Sequence, residues 1–481
     1  MPVDRSVLPP GAAVPVPSRR ALLRAVVGGA TGAVLLDPGR ALATPAGAVP
    51  LREPEVRRSA GGVLDVTLRA ARSAVPFGGA RRTVMSYEGG VPGPTLVVAP
   101  GDVLRVRLVN DLPHPTNLHT HGLHVSGEGI ADNVFRHVGP GETADYEIPL
   151  RPDHHEGTNW YHPHAHGHSA QQMFEGMAGA LVVQRREETG RSTGISRDRV
   201  LVLSSTAFTA DGAVADPFTT RQDAQVRLVN GQVRPTIGIA PGETQRWRLV
   251  NASVNHVFRL RLDGHRTTQV AADGVPFRRA LDVDELLLAP GQRADLLVTG
   301  GAEGVVELRT LPVDIGFGVV LPAGPVATVA CRGAAPAPGP LHAAALLRPF
   351  EDLRRRRVAV HREVAFTMAG GFGMDGRPFD PTRVDQTCEL GTVEEWTVRN
   401  ETGLVHPFHS HVNPFQVTHV DGVPVDARSY QDTVLVGKQG GTVTFRTHLQ
   451  HFPGRAVYHC HFVTHAELGM MAVADVVDPR A

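Results

Sequence analysis

The stretch Tyr458-His459-Cys460-His461-Phe462-Val463-Thr464-His465 places one thiol and three imidazoles in eight positions, with Glu467, Met470 and Met471 close behind. Three further clusters carry the same imidazole chemistry: His119-Thr120-His121-Gly122, His162-Pro163-His164, and His406-Pro407-Phe408-His409-Ser410-His411. A packed apolar core has no use for this mixture, whereas thiolate and imidazole together favour copper. In an extended strand, residues two apart face the same side. His459 and His461 can therefore reach one site while Cys460 reaches another, so that one strand links two centres through a few covalent bonds. A thiolate with two imidazoles and a weak axial thioether suits an electron-transfer copper. His406, Cys460, His465 and Met470 are assigned to it, and Met471 competes with Met470 by adjacency alone.

Eight histidines remain in four pairs: His119 and His121, His162 and His164, His409 and His411, His459 and His461. They suit a cluster of imidazole-bound coppers. Zinc also accepts imidazole, but a structural zinc site needs four ligands, and eight paired histidines exceed that. If the pairs form one site, two early segments of the chain must fold against two late ones. His114, His124, His166 and His168 lie beside these pairs but break the pairing, which suits supporting or surface roles.

The elements that must position these residues are read as strands. Glycine and proline number 52 and 38, and no 18-residue apolar run follows the first 50 positions, as expected of turn-rich β domains without a membrane span. Basic and acidic side chains both number 48, so no global field draws nucleic acid or an anionic surface. A glycine-containing turn followed by a strand ending in asparagine recurs three times: PGDVLRVRLVN to Asn110, PGETQRWRLVN to Asn251 and LGTVEEWTVRN to Asn400. Recurrence at intervals of about 150 residues reads as three homologous β-sandwich modules. The alternation over Leu104–Val109 is imperfect and suggests an edge or partly covered strand. A charged linker at 184–197 and an Ala/Pro/Gly-rich one at 332–348 separate modules at 51–187, 198–335 and 355–481, with low helical content.

Residues 1–43 read as processing sequence. Ser18-Arg19-Arg20-Ala21-Leu22-Leu23 precedes an apolar small-residue stretch, and Ala41-Leu42-Ala43 offers a cleavage site, a pattern similar to a twin-arginine export signal. Such export moves folded protein, so a periplasmic or secreted destination is expected. Three cysteines exclude a disulfide framework. Cys388 suits an inert core position, and one Cys331–Cys388 bridge across the linker stays open.

The four clusters, with GGVPGPTLVVAPGD in the first module and LLLAPGQRADLLV in the second, resemble the multicopper oxidase family over residues 60–480. The resemblance implies an all-β chain of three tandem cupredoxin-type Greek-key β-sandwich domains holding four copper ions. It assigns the type 1 copper to His406, Cys460 and His465 with Met470 axial, and the type 2 copper to His119 and His409. The type 3 pair falls to His121, His162, His164, His411, His459 and His461, between domains one and three, with domain two a spacer. Electrons from a reductant would pass from Cys460 to His459 or His461, and dioxygen would be reduced to water. Asp132 resembles the family's acid near the type 2 copper, with a turn-forming aspartate as the other reading. Many bacterial relatives place an acid directly after the histidine matching His465; here that position is Ala466, leaving Glu467 as a proton-path residue or a solvated one.

Three functions follow from the resemblance. A laccase-like oxidase of phenols and aryl amines leads, because no methionine-rich run for cuprous ion is present and Met368 and Met374 suit ordinary packing. A cuprous oxidase and a copper-free envelope scaffold are the alternatives. Dioxygen and small aromatic reductants are the expected partners, and the chain is expected to be a monomer.

Overall fold

The computed structural model describes residues 48–186, 194–335 and 343–480. The export-signal reading for residues 1–43 falls outside them. The chain is all-β: among the described residues the α-helices are Ser169–Glu175 and Val463–Glu467, and most of the rest is strand or turn. No described helix is long and apolar enough to cross a membrane.

The sheets fall into three pairs along the sequence. The first module pairs a four-stranded sheet built on Val63–Phe77 and Val103–Asn110 with a five-stranded one that carries His119–His121 beside Gly157–His162. The second pairs a six-stranded sheet, including Thr244–Asn251 and Arg293–Thr299, with a five-stranded one. The third pairs a six-stranded sheet, including Val360–Thr367 and Val393–Asn400, with the five-stranded sheet Gln386–Glu389, Met471–Val477, Gly454–Cys460, His406–Ser410 and Thr433–Val436. Each pair encloses its own apolar core, drawn from the inward positions of both sheets.

In every module the first long strand runs parallel to the strand that ends in asparagine. The alternation over Leu104–Val109 is cleaner than the sequence suggests. Leu104, Val106 and Leu108 are buried and Arg105 and Arg107 exposed, and the strand lies inside its sheet with one face to solvent. The two arginines pair with Glu147 and Asp145 on the neighbouring strand, which explains how their charges sit within a sheet.

The recurring asparagine has a physical task. Asn110, Asn251 and Asn400 are buried, and each side-chain amide donates to carbonyls of the following loop and of a neighbouring segment. Each side-chain oxygen also accepts the N–H two residues on. In the first and third modules the clasped loops lead directly to His119 and His406, so the repeat fixes where the histidine strands begin.

Cys331, Cys388 and Cys460 are all free and buried, so the Cys331–Cys388 bridge left open by the sequence is not formed. Cys331 and Cys388 belong to two different cores, and burial pushes the Cys388 thiol up to about 12.

Candidate metal centres

Two antiparallel strand pairs present His119, His121, His162, His409 and His459, and His164, His411 and His461 lie just past the strand ends. His119 and His121 lie opposite His162 and Trp160, and His409 lies opposite His459. The edges of the first and third modules meet so that His119 stacks on His411 at 4.0 Å and His121 on His409 at 3.8 Å between ring centroids. His459 Nε2 lies 3.2 Å from both His164 Nε2 and His411 Nε2, and His461 Nε2 lies 3.2 Å from His121 Nδ1. Lone pairs at that separation repel unless a proton or a cation lies between them.

Protons are disfavoured here. Burial, with neighbouring imidazoles adding to it, drives His119, His121, His162, His411, His459 and His461 well below the ordinary histidine range. Five of the rings also have one nitrogen tied to an oxygen. His119 Nδ1 donates to Asp132, His162 Nδ1 to Pro163 O, His459 Nδ1 to Cys460 O and His409 Nδ1 to Asp432 O, while His121 Nε2 donates to Asp432 Oδ1. Each bond leaves the opposite nitrogen as an acceptor, as metal-binding imidazoles require. His119 Nε2, His162 Nε2 and His409 Nε2 are indeed buried without a hydrogen-bond partner. The donor set fits copper held by neutral imidazole.

A second cluster lies on the other side of the same strand. Cys460 Sγ is 3.4 Å from His406 Nδ1 and 3.8 Å from His465 Nδ1, and the two imidazole nitrogens are 3.2 Å apart. Thr402 Oγ1 lies 2.7 Å from His406 Nε2, leaving Nδ1 to face the sulfur. Burial pushes the Cys460 thiol well up, so the thiolate needs a cation in contact. Met470 is fully buried in the apolar cluster that contains Cys460, whereas Met471 belongs to a separate cluster with Val134 and Val473 and lies opposite His459. Met470 is the residue just before the strand Met471–Val477, and the two side chains pack into different clusters.

Asp132 is buried and bonded to His119 Nδ1 at 2.9 Å and Thr120 N at 2.7 Å, while the turn itself is closed by Asn133. Glu467 is half-buried, with its carboxylate turned inward. It sits at the end of Val463–Glu467, accepts from Ala170 N at 3.0 Å, and leaves Oε2 buried without a partner. That carboxylate borders a cavity of about 20 Å³ lined by His162, His164, His459 and His461, room for about one water. Burial raises it to about 7. His114, His124, His166 and His168 belong to no group of facing metal donors among the described residues; His114 stacks on His168, and His124 spans modules to Val412 O and His451.

Sequence reasoning missed Asp432, which faces His121 and His409, and Arg293, which holds it. Arg293 lies in APGQRAD, part of the stretch that resembles the family; Asp432, in YQDTV, has no neighbouring histidine to mark it.

Family models described as "Multicopper oxidase" match residues 70–188, 156–304 and 355–480. The chain is 26% identical over 440 residues to "Multicopper oxidase mco" of Staphylococcus epidermidis, covering 88% of this chain and 91% of that one. It is 27% identical over 472 residues to "Laccase" of Bacillus stratosphericus, covering 82% and 90%. "Cell division protein FtsP" of Gallibacterium anatis is 27% identical over 353 residues, 69% of this chain and 73% of that one. Among solved structures, "Multicopper oxidase from Campylobacter jejuni: a metallo-oxidase" superposes with a TM-score of 0.75 at 25% identity, covering 89% and 94%. With its paired histidines facing one another across two modules, the chain belongs to the multicopper oxidase family and is a copper-dependent oxidoreductase that uses dioxygen.

Proposed function

We propose that the protein is an exported, laccase-like oxidase that removes single electrons from phenols or aryl amines and reduces dioxygen to two waters with four electrons and four protons. His406, Cys460, His465 and Met470 would hold a type 1 copper. His119 and His409 would hold the type 2 copper, and His121, His162, His164, His411, His459 and His461 the type 3 pair. Bound copper would supply one-electron transfer at the first centre and dioxygen reduction at the other three ions.

The chain's own residues divide the remaining work. The two peptide bonds flanking Cys460 connect its sulfur to His459 and His461 by a short covalent path. Asp132 orients His119 and keeps its Nε2 free. Glu467 can hold a proton at Oε2 beside the water-sized cavity, in place of the acid absent at Ala466.

The observation that carries the substrate reading is the cover over His465. His465 is 6% exposed while His406, Cys460 and Met470 are fully buried, so a donor approaches this ring. The Phe372 ring lies against it at 4.8 Å between centroids, an apolar aromatic face suited to a planar organic donor. Met374 is buried in the core and Met368 packs against it, which supports a packing role over capture of cuprous ion. The full set of facing donors argues against the copper-free scaffold alternative. The arginine pair in the leader supports export in folded form to the periplasm or beyond.

Oxygen uptake by fully copper-loaded enzyme, with a phenol and aryl-amine panel beside cuprous ion, tests this. Turnover with the organic donors and no requirement for added copper is expected. Turnover confined to cuprous ion would replace the laccase-like reading with a cuprous oxidase.

Asp132→Ala should weaken the hold on the type 2 ion about 10–100-fold, because His119 Nδ1 loses its acceptor. The check is the non-blue cupric spin-resonance signal under chelator, with the visible band unchanged.

A further inference from the structure

We propose that Arg293 is a positioning residue for the histidine cluster, so that the second module clamps the first and third around it instead of spacing them apart. The inference rests on the assignment of His121 and His409 as copper ligands given above.

The Arg293 guanidinium is fully buried and is used in all directions. Nη1 and Nη2 form a fork onto both carboxylate oxygens of Asp432 in the third module, at 2.7 and 2.6 Å. Nε donates to Thr158 O at 3.1 Å and Nη2 to Asn159 Oδ1 at 3.2 Å, both in the first module. Nη1 also donates to Gly291 O in its own turn. Asp273, again from the second module, accepts from Arg293 N and from Thr433 N of the third. One side chain thus touches all three modules.

Its principal acceptor is the residue that orients two histidines. Asp432 Oδ1 lies 2.9 Å from His121 Nε2, and Asp432 O accepts from His409 Nδ1 at 2.8 Å. A shift of Asp432 would move both rings and change which nitrogen each offers.

The local sequence makes room for the clamp. A side chain at Gly122, directly after His121 and at φ +94°, would overlap Arg293 Nη2. At Gly291, φ +89°, a Cβ would lie 2.8 Å from His461 and 3.1 Å from His121. Both positions need glycine for backbone and for space. The second module therefore abuts the imidazoles themselves.

The test compares wild type with Arg293→Gln, Arg293→Lys, Asp432→Asn and Glu394→Gln. Glu394 is an equally buried carboxylate, paired with Arg362, that touches none of the histidines. Each protein is loaded with copper, and the chelator concentration that removes half of the non-blue copper is measured by metal count and spin resonance. The blue band reports that the third module has folded. Arg293→Gln and Asp432→Asn should lower that concentration about 10–100-fold with the blue band retained. Arg293→Lys, which keeps the charge but cannot fork, should fall between and is decisive if the glutamine variant does not fold. Glu394→Gln should keep wild-type resistance at a lower melting temperature. Wild-type resistance in all foldable Arg293 variants, or equal loss in Glu394→Gln, would overturn the clamp. Absence of non-blue copper from the wild type would instead overturn the assignment of the eight histidines, and the clamp with it.

Discussion

Cys460→Ser is expected to abolish both the blue colour and oxidase turnover while leaving the β structure in place. The colour of the loaded wild type would come from charge transfer out of the Cys460 thiolate, so it requires sulfur within bonding reach of an ion also held by His406 and His465. The three donor atoms lie within 3.2–3.8 Å of one another, and burial resists ionisation of the thiol unless a cation is present. A serine hydroxyl is a harder donor and stays protonated there, so both the soft ligand and the covalent link to the histidine cluster fail together. Serine is smaller than cysteine, and burying its hydroxyl unpaired costs about 1–3 kcal/mol, too little to unfold a core of this size. Absorption, copper count and circular dichroism on the same sample decide the matter. An intense visible band in the serine protein, or its absence from loaded wild type, would refute the assignment of the blue centre.

How much of this was readable from the chain depended on the kind of signal. The histidine clusters were visible because metal ligation concentrates rare side chains at short fixed spacings. The three modules were visible because each repeats a turn, a strand and an asparagine, and the structure shows the asparagine clasping the loop that follows. The clamp was not visible. Arg293 and Asp432 are 139 residues apart, lie in no cluster of rare side chains, and acquire their meaning only when three modules close around them. Glu467 was ambiguous for a similar reason: a glutamate in Ala-Glu-Leu reads as surface until Val463–Glu467 is seen to pack against Ser169–Glu175. Met470 and Met471 could not be separated by adjacency, but Met470 ends the turn before the strand Met471–Val477 and the two pack into different clusters. The spacer reading of the second domain took no account of Arg293, because ligand spacing is silent about groups that touch ligands without being ligands.

The second large effect is expected from His459→Ala and His461→Ala, and it tests the alternation that divides one strand between two centres. His459 Nε2 faces His164 and His411, and His461 Nε2 faces His121, whereas Cys460 between them turns into the apolar cluster beside His406 and His465. Neither imidazole contributes an atom to the sulfur-containing site. Each alanine should therefore lower oxygen reduction at least about 100-fold, beyond what loss of an outer hydrogen bond produces, while the visible band stays near wild-type strength. If, as proposed, the first electron arrives at His465, the loaded variants should still be bleached by a phenol or aryl amine but should recolour in air far more slowly than wild type. Stopped-flow bleaching and recolouring separate the two half-reactions in one experiment. If both variants lose only the blue band and keep their non-blue copper, the strand has been divided the wrong way round. If bleaching itself slows in proportion to recolouring, electron entry and oxygen reduction are not served by opposite faces of this strand.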